Sequence, residues 1–380
     1  MGSISATPPE SMDLLIKPTL DCNAECIYCH SLKPSNRMSR ELVETIFQKW
    51  ALFSAKEGIE RLSITWHGGE PMIMGGSFYR AVMDLERKYF PNTKISHSMQ
   101  SNVCLYKGEV REAVLDLVSD RAIGACLDPF HPTRLLPGGT DYYNQSVKGC
   151  LDLMNDGFLI NMIYVVHKKS LEVVEQVYYF FKNLGVRNVL LHPLEEFPDP
   201  DYRLTPQEWG EFLKKMWKVW EQDDFGLTMF PISDWRDRIL FGEPVGSCEH
   251  GLPRDNQLHV VISPSGDLYP CHRFQDKDVF RMGNITAMSF DEVVRHRWAN
   301  LLTDAKKNLS EACMACEFVP LCGSGCVATH EPNGRTMWCE GLKAFFGLLR
   351  ERGMLDNIAP ELPQCAAKQC PHHGCQCEIG

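Results

Sequence analysis

Three cysteines, Cys22, Cys26 and Cys29, fall within the ten-residue run Asp21-Cys22-Asn23-Ala24-Glu25-Cys26-Ile27-Tyr28-Cys29-His30. Thiolates so spaced can each bind one iron of a [4Fe–4S] cube and leave the fourth iron without a protein ligand. On that open iron a small molecule can chelate through an amine and a carboxylate. An electron passed from the cube can then break a carbon–sulfur bond in the bound molecule. A structural zinc ion is the other reading, and it wants a fourth ligand such as His30.

A second set of thiols is denser. Cys313-x2-Cys316-x5-Cys322-x3-Cys326 is followed by Cys339, and Cys248 and Cys271 lie upstream. For residues 313–339 taken alone, a zinc ribbon is the alternative. A third set comprises Cys365, Cys370, Cys375 and Cys377, with His372 and His373 among them. Zinc binding, donation of a cluster ligand and a redox-active end all fit it, as does plain terminal disorder. The cysteines number 17, an odd count, and residues 1–9 lack a basic-then-apolar secretory pattern. A disulfide scaffold is therefore not expected, and metal is. Cys104, Cys126 and Cys150 stand alone in apolar or helical surroundings and read as core packing.

The elements that must position these residues alternate in type. Strand patterns over 14–20, 61–66, 94–100, 122–127, 159–166 and 189–192 alternate with helix patterns over 41–55, 78–88, 109–118, 143–155, 171–184 and 206–220. Such alternation implies an α/β fold with a parallel sheet, open or curled into a partial barrel, and ligands at the C-terminal ends of the strands. The pattern breaks after Trp235. Residues 241–253 read as a linker, 258–263 and 267–269 as a hairpin around Pro264-Ser265-Gly266, and 290–302 as a helix. Beyond Ala312 the chain shows little periodicity, so metal is expected to hold that region together.

At 380 residues and 44% apolar content, the chain can bury a sizeable core in two or three domains. The net charge is −10 with no long basic run, which argues against nucleic acid as a partner. No window approaches the ~18 apolar residues of a membrane span. Ala6 stands where a myristoylation pattern wants Ser or Thr. A cytoplasmic protein without a membrane partner is expected.

The spacing C-x3-C-x-aromatic-C, with Tyr28 at the aromatic place, resembles the signature of the radical S-adenosylmethionine (SAM) superfamily. Trp66-His67-Gly68-Gly69-Glu70-Pro71, ending the second strand, resembles that family's GGEP motif. Gln100-Ser101-Asn102, ending the third, is similar to its Gln-Thr-Asn. The fourth strand ends in Cys126-Leu127-Asp128-Pro129, where the family often reads Ser-Leu-Asp-Gly. This resemblance spans residues 12–225 and implies a partial (β/α)6 barrel. It also implies a SAM-binding [4Fe–4S] cluster on Cys22, Cys26 and Cys29. The cofactor contacts it implies are Tyr28, Gly68, Gly69, Glu70, Pro71, Gln100, Ser101, Asn102 and Arg134; an exposed loop arginine is the alternative for Arg134.

The seven later cysteines resemble the SPASM domain, a cysteine-rich C-terminal addition to radical SAM enzymes that binds two auxiliary [4Fe–4S] clusters. By that resemblance Cys313, Cys316, Cys322 and Cys339 hold the second auxiliary cluster, and Cys248, Cys271 and Cys326 the first. The first is then one protein ligand short, since residues 249–257 hold no cysteine. Either the site is open, or His250 or a tail cysteine closes it. The implied domains are a barrel over 1–238, a SPASM domain over 239–350 and a Cys/His-rich tail over 351–380.

Tyr269-Pro270-Cys271-His272-Arg273-Phe274, with Gly283-Asn284-Ile285 after it, looks more like the crosslink-forming peptide (RiPP) maturases. Anaerobic sulfatase-maturating enzymes carry Asp where His272 stands. The implied activity is reductive cleavage of SAM to a 5′-deoxyadenosyl radical, hydrogen abstraction, and peptide crosslinking or oxidation. His272 and Asp128 are the catalytic candidates, and a flavodoxin or ferredoxin is the expected electron donor. No leader-binding segment precedes the first strand pattern, so a leader is expected to bind elsewhere or to be delivered by another protein. The rival substrate is a small molecule such as an aminocyclitol or sugar, in a dehydrogenase or epimerase using Cys126 as hydrogen-atom donor. A pure electron carrier is a third class, disfavoured by the GGEP motif.

Overall fold

A computed structural model describes residues 11–29, 36–131, 133–139, 141–195, 197–242, 250, 257–275, 277–356 and 358. The first two-thirds runs β1 (Ser11–Thr19), α1 (Arg40–Glu57), β2 (Arg61–Gly68), α2 (Gly75–Tyr89), β3 (Ile95–Ser101), α3 (Gly108–Leu117), β4 (Ala122–Cys126), α4 (Tyr142–Asn155), β5 (Leu159–Val166), α5 (Val174–Leu184), β6 (Asn188–Pro193) and α6 (Pro206–Gln222). Local chemistry sets several of these starts. Ser39 and Asp141 accept amides of the first turns of α1 and α4, and Thr205 and Glu208 cap α6 reciprocally. The α/β fold and its parallel sheet are borne out.

The sheet is larger than the sequence predicts. β7 (Thr228–Phe230) adds an edge strand, and α7 (Ile232–Phe241) follows it. The expected boundary after residue 238 falls inside the last turn of α7. β8 (Gln257–Ile262) and β9 (Asp267–Tyr269) form the expected hairpin, and β10 (Gly283–Asn284) extends it. The order is β10-β9-β8-β1-β2-β3-β4-β5-β6-β7. β1 is thus parallel to β2 on one edge and to β8 on the other, with Leu14 opposite both Ile64 and Val260. The strand that feeds the first cysteines is common to both halves of the chain.

Two expectations need correction. The helix over 290–302 is broken into α8 (Phe290–Val294) and α9 (Leu301–Lys307). Between them Trp298 donates its indole N–H to the Val279 carbonyl at 2.9 Å and packs on Phe280, which outweighs one more helical turn. Beyond Ala312 the chain is not held by metal ligands alone. α10 (Glu311–Met314) and α11 (Val319–Cys322) are followed by the 13-residue α12 (Cys339–Glu351). Leu342, Phe345, Phe346 and Leu349 recur at helical spacing and are buried as α12 packs along α6. Trp235 meets Phe346 at 4.9 Å between ring centroids, and Trp217 meets Phe345 at 5.8 Å. Each such buried side chain contributes about 2–3 kcal/mol. Among the described residues no helix is long and apolar enough to cross a membrane.

Candidate active site

Beyond β1 the chain turns into the loop carrying Cys22, Cys26 and Cys29. The Asp21 amide donates to Thr19 Oγ1 at 3.0 Å, and Thr19 Oγ1 donates to the Asn36 carbonyl at 3.0 Å. The loop is stitched to the segment after β4, with Glu25 N 2.7 Å from the Leu135 carbonyl and Ile27 N 2.9 Å from that of Thr133. Cys22 and Cys26 are half-buried and Cys29 is exposed. Burial raises the Cys26 thiol, while the Arg134 charge pulls it down. Among the described residues no three Cys, His, Asp or Glu side chains converge as ligands of one ion would. A cube takes each thiolate at its own iron, so its ligands stand apart. His30 lies outside the described residues.

The Gly-Gly pair serves this loop. Gly68 has φ +124°, and a Cβ there would lie 2.2 Å from the Thr19 carbonyl oxygen; at Gly69 it would lie 2.2 Å from that of Asp21. Without side chains at both positions, Gly69 N reaches the Thr19 carbonyl at 3.0 Å and Glu70 N that of Asp21 at 2.9 Å. The glycines therefore approach the cysteine loop itself.

Glu70 joins three strand ends. Fully buried, its carboxylate accepts from Met72 N at 2.9 Å, Ser101 Oγ at 2.8 Å and Asn102 N at 2.7 Å. Burial pushes the carboxyl up to about 7 against these donors. Pro71 follows as the first residue of a short 3-10 turn. Asn102 Nδ2 donates to Asn23 Oδ1 at 2.7 Å and lies 3.9 Å from Cys22 Sγ. Gln100 Nε2 lies 3.1 Å from Cys126 Sγ, so the glutamine engages that cysteine.

At the end of β4, Asp128 is a buried hub. Its Oδ2 accepts from Tyr28 Oη, from Thr133 Oγ1 at 2.7 Å and from Arg134 Nε at 2.9 Å. Arg134 is buried, not an exposed loop residue: its side chain is 9% exposed, its Nη1 lies 3.8 Å from Cys26 Sγ, and its guanidinium packs 5.2 Å from the Tyr28 ring centre. Burial, reinforced by the Asp128 charge, drives the Tyr28 phenol well above its ordinary value.

Across the sheet, Cys313, Cys316, Cys322 and Cys339 line one cavity with about 480 Å³ of empty space. Short turns set their spacing, as Ser310 Oγ receives the Cys313 amide at 3.3 Å and Cys316 N bonds back to the Cys313 carbonyl. Burial, with the neighbouring thiolates, pushes Cys322 up to about 12, while the Lys306 charge pulls it down. Four cysteines lining one cavity are a donor set that fits a cluster, each thiol losing its proton as it binds iron. Lys306 is buried on α9 and donates to the Gly325 carbonyl at 2.5 Å and to that of Gly323.

Cys326 lines a second cavity of about 370 Å³ with His250, Arg273 and Glu195, the last two forming an ion pair between the barrel and the hairpin. Cys271 is buried, with Sγ 3.8 Å from His272 Nδ1. The His272 ring stacks on His67, from the end of β2, at 5.7 Å. Cys248, Cys365, Cys370, Cys375 and Cys377 lie outside the described residues. Sequence reasoning missed Lys306, which reads as one more solvated helix lysine, and the roles of His67 and Glu195. His67 alone carried a signal, as part of the GGEP stretch. Cys104 and Cys150 are buried as expected, and Cys126 is only partly so.

Comparison with known proteins bears on this arrangement. A family model described as "SPASM: Iron-sulfur cluster-binding domain" matches residues 254–317. The cysteine-type anaerobic sulfatase-maturating enzyme of Clostridium novyi (strain NT) is 27% identical over 364 residues, covering 89% of this chain and 95% of its own. The serine-type anaerobic sulfatase-maturating enzyme of Klebsiella aerogenes is 26% identical over 375 residues, covering 93% and 87%. The solved structure of native anSMEcpe with bound AdoMet and Kp18Cys peptide superposes with a TM-score of 0.77 at 24% identity, covering 90% of this chain and 98% of that one. At that identity the likeness is one of fold.

Proposed function

We propose that this radical SAM enzyme with a SPASM iron–sulfur domain modifies a peptide, by hydrogen-atom abstraction followed by crosslinking or oxidation. The observation that carries the reading is the joining of the cysteine loop to the GGEP turn and the β3 end through Glu70, on the sheet that also supports a four-cysteine cavity. The relatives named as sulfatase-maturating enzymes, and a fold neighbour solved with SAM and a peptide, support a peptide substrate.

In this reading Cys22, Cys26 and Cys29 hold the SAM-cleaving cluster, in a barrel domain over 1–238. Cys313, Cys316, Cys322 and Cys339 hold one auxiliary cluster, and Cys248, Cys271 and Cys326 are ligands of the other. When bound, the first cluster supplies the electron that splits SAM, giving the 5′-deoxyadenosyl radical that takes a hydrogen atom from the substrate. The backbone of Gly68–Pro71 and the side chains of Gln100, Ser101 and Asn102 line the cofactor's place. Arg134, oriented by Asp128 and Tyr28, would pair with the carboxylate of bound SAM. Asp128, saturated with donors, is a positioning residue. His272, beside His67, would accept the proton released when the substrate radical gives up its remaining electron to an auxiliary cluster. A flavodoxin- or ferredoxin-type donor reduces the first cluster.

The test is incubation of the anaerobically reconstituted protein with SAM, dithionite and the peptide encoded beside its gene. We expect 5′-deoxyadenosine and a peptide lighter by two hydrogens per crosslink. Absence of 5′-deoxyadenosine refutes the radical chemistry. Its formation with every peptide mass unchanged, while an aminocyclitol or sugar is oxidised or epimerised, refutes the peptide reading.

A further inference from the structure

We propose that Arg335 sets the reduction potential of the cluster held by Cys313, Cys316, Cys322 and Cys339, by donating a charge-assisted hydrogen bond to the Cys339 sulfur. The inference rests on the reading of that cavity as a cluster site. All four cysteines line one cavity, and Arg335 lines it with them. Its Nη2 lies 3.1 Å from Cys339 Sγ, within reach of a sulfur acceptor. Hydrogen bonds to the sulfurs and net charge are two of the levers that set an iron–sulfur potential. A cube with four thiolates is anionic and becomes more so on taking up an electron. A guanidinium bound to one of those thiolates therefore favours the reduced state and raises the potential.

A tight turn presents the guanidinium. Gly334 has φ +72°, Asn333 Oδ1 accepts the Arg335 amide at 2.9 Å, and Glu331 N bonds back to the Arg335 carbonyl at 2.9 Å. Next to it His330 and Thr336 form an antiparallel bridge, and the Cys339 amide reaches the Thr336 carbonyl at 3.0 Å. Arg335 and Cys339 are thus fixed in one short stretch, the cysteine as the first residue of α12. Glu340 Oε1 accepts from the same Nη2 at 2.5 Å, but its side chain is 59% exposed against 27% for Arg335. Water therefore screens the carboxylate more than the cation. Lys343 lines the same cavity, with its ammonium 4.0 Å from the Glu340 carboxylate. Among the described residues it bonds no sulfur, which makes it the control for charge alone.

The test uses the full chain, reconstituted anaerobically, with Cys22→Ala, Cys26→Ala and Cys29→Ala together so that only auxiliary clusters are loaded. Redox titration followed by electron paramagnetic resonance reads each cluster's potential. Cys313→Ala with Cys316→Ala is expected to remove one cluster's signal and so identify it. Arg335→Gln is expected to keep its iron and to shift that cluster's potential downward, and Lys343→Gln to shift it less. Pulsed spectra of the dithionite-reduced parent are expected to show a weak nitrogen coupling that changes on 15N-arginine labelling. A potential unmoved in Arg335→Gln overturns the assignment, as does a Lys343→Gln shift of equal size. Should Arg335→Gln load no iron, the parent still decides, because spectra without the arginine coupling overturn the assignment by themselves. A parent without iron, or signals all unchanged in Cys313→Ala with Cys316→Ala, sinks instead the cluster reading of the cavity.

Discussion

Replacing Gly69 by alanine tests whether the GGEP glycines exist to anchor the cysteine loop. The new Cβ would stand 2.2 Å from the Asp21 carbonyl oxygen and 2.4 Å from that of Leu20, both backbone atoms, where ordinary contact begins at 3.4 Å. The loop must move by about an ångström, because no flexible side chain can yield instead. That shift breaks the bonds from Gly69 N to Thr19 and from Glu70 N to Asp21, now 3.0 and 2.9 Å. Each lost bond costs about 1 kcal/mol net. Overpacking adds about 1–3 kcal/mol, for a total of about 3–5 kcal/mol against a whole-protein stability of roughly 5–15 kcal/mol. Urea unfolding of the metal-free chain measures the loss, and iron content after reconstitution measures the damage to the site. Gly347→Ala is the control: nothing lies within 4 Å of its Cβ on α12, so a gain of about 0.5–1 kcal/mol is expected. A Gly69→Ala protein as stable as the wild type, with iron for three clusters, refutes the reasoning.

Asp128→Asn leaves Arg134 buried beside a neutral amide that cannot replace the carboxylate opposite three donors, and a loss of about 3–5 kcal/mol is expected. A cycle with Arg134→Gln, followed by chemical denaturation, should return a coupling energy of about 1–3 kcal/mol; additive losses refute the pairing. For Glu70, the folded carboxyl titrates at about 7 against an ordinary 4.5, so the folded state holds the proton more tightly and stability from this group falls as pH rises through that window. The advantage of wild type over Glu70→Gln should therefore narrow by about 3 kcal/mol between roughly pH 5 and pH 8. A gap that is constant or widens counts against a raised carboxyl.

What could be read from sequence was what is local. β4 and β5 declare themselves by apolar runs, β2 by apolar–polar alternation, and the first cysteine triad by its spacing. The helical spacing of Leu342, Phe345, Phe346 and Leu349 marks α12 as well, although a run rich in cysteine, which points to metal, precedes it. Other features are set by the fold alone. Tyr28 meets Asp128 across 100 positions of chain, and no local pattern marks either as the other's partner. The same holds for the His67–His272 stack and for Lys306, whose burial depends on how the loop after Cys322 folds over it. The break in the helix expected over 290–302 follows from Trp298 reaching Val279, again a tertiary contact.

The double pairing of β1 bears on how an electron would cross the molecule. From Ser11 to Ile16 the strand is in register with β2 on one side and β8 on the other, so the ladder that ends at the first cysteines also holds the hairpin leading to Cys271. Lys49 on α1 adds a second tie, donating to the carbonyls of Ile285, Thr286 and Met288 at 2.6, 3.0 and 2.9 Å. A hinge between the halves would sacrifice the β1–β8 ladder, on the order of 6 kcal/mol at about 1 kcal/mol per bond, together with the lysine's charge-assisted bonds. Ligand binding seldom supplies a differential of that size. The separation between the cysteine loop and the auxiliary thiols is therefore fixed when the chain folds.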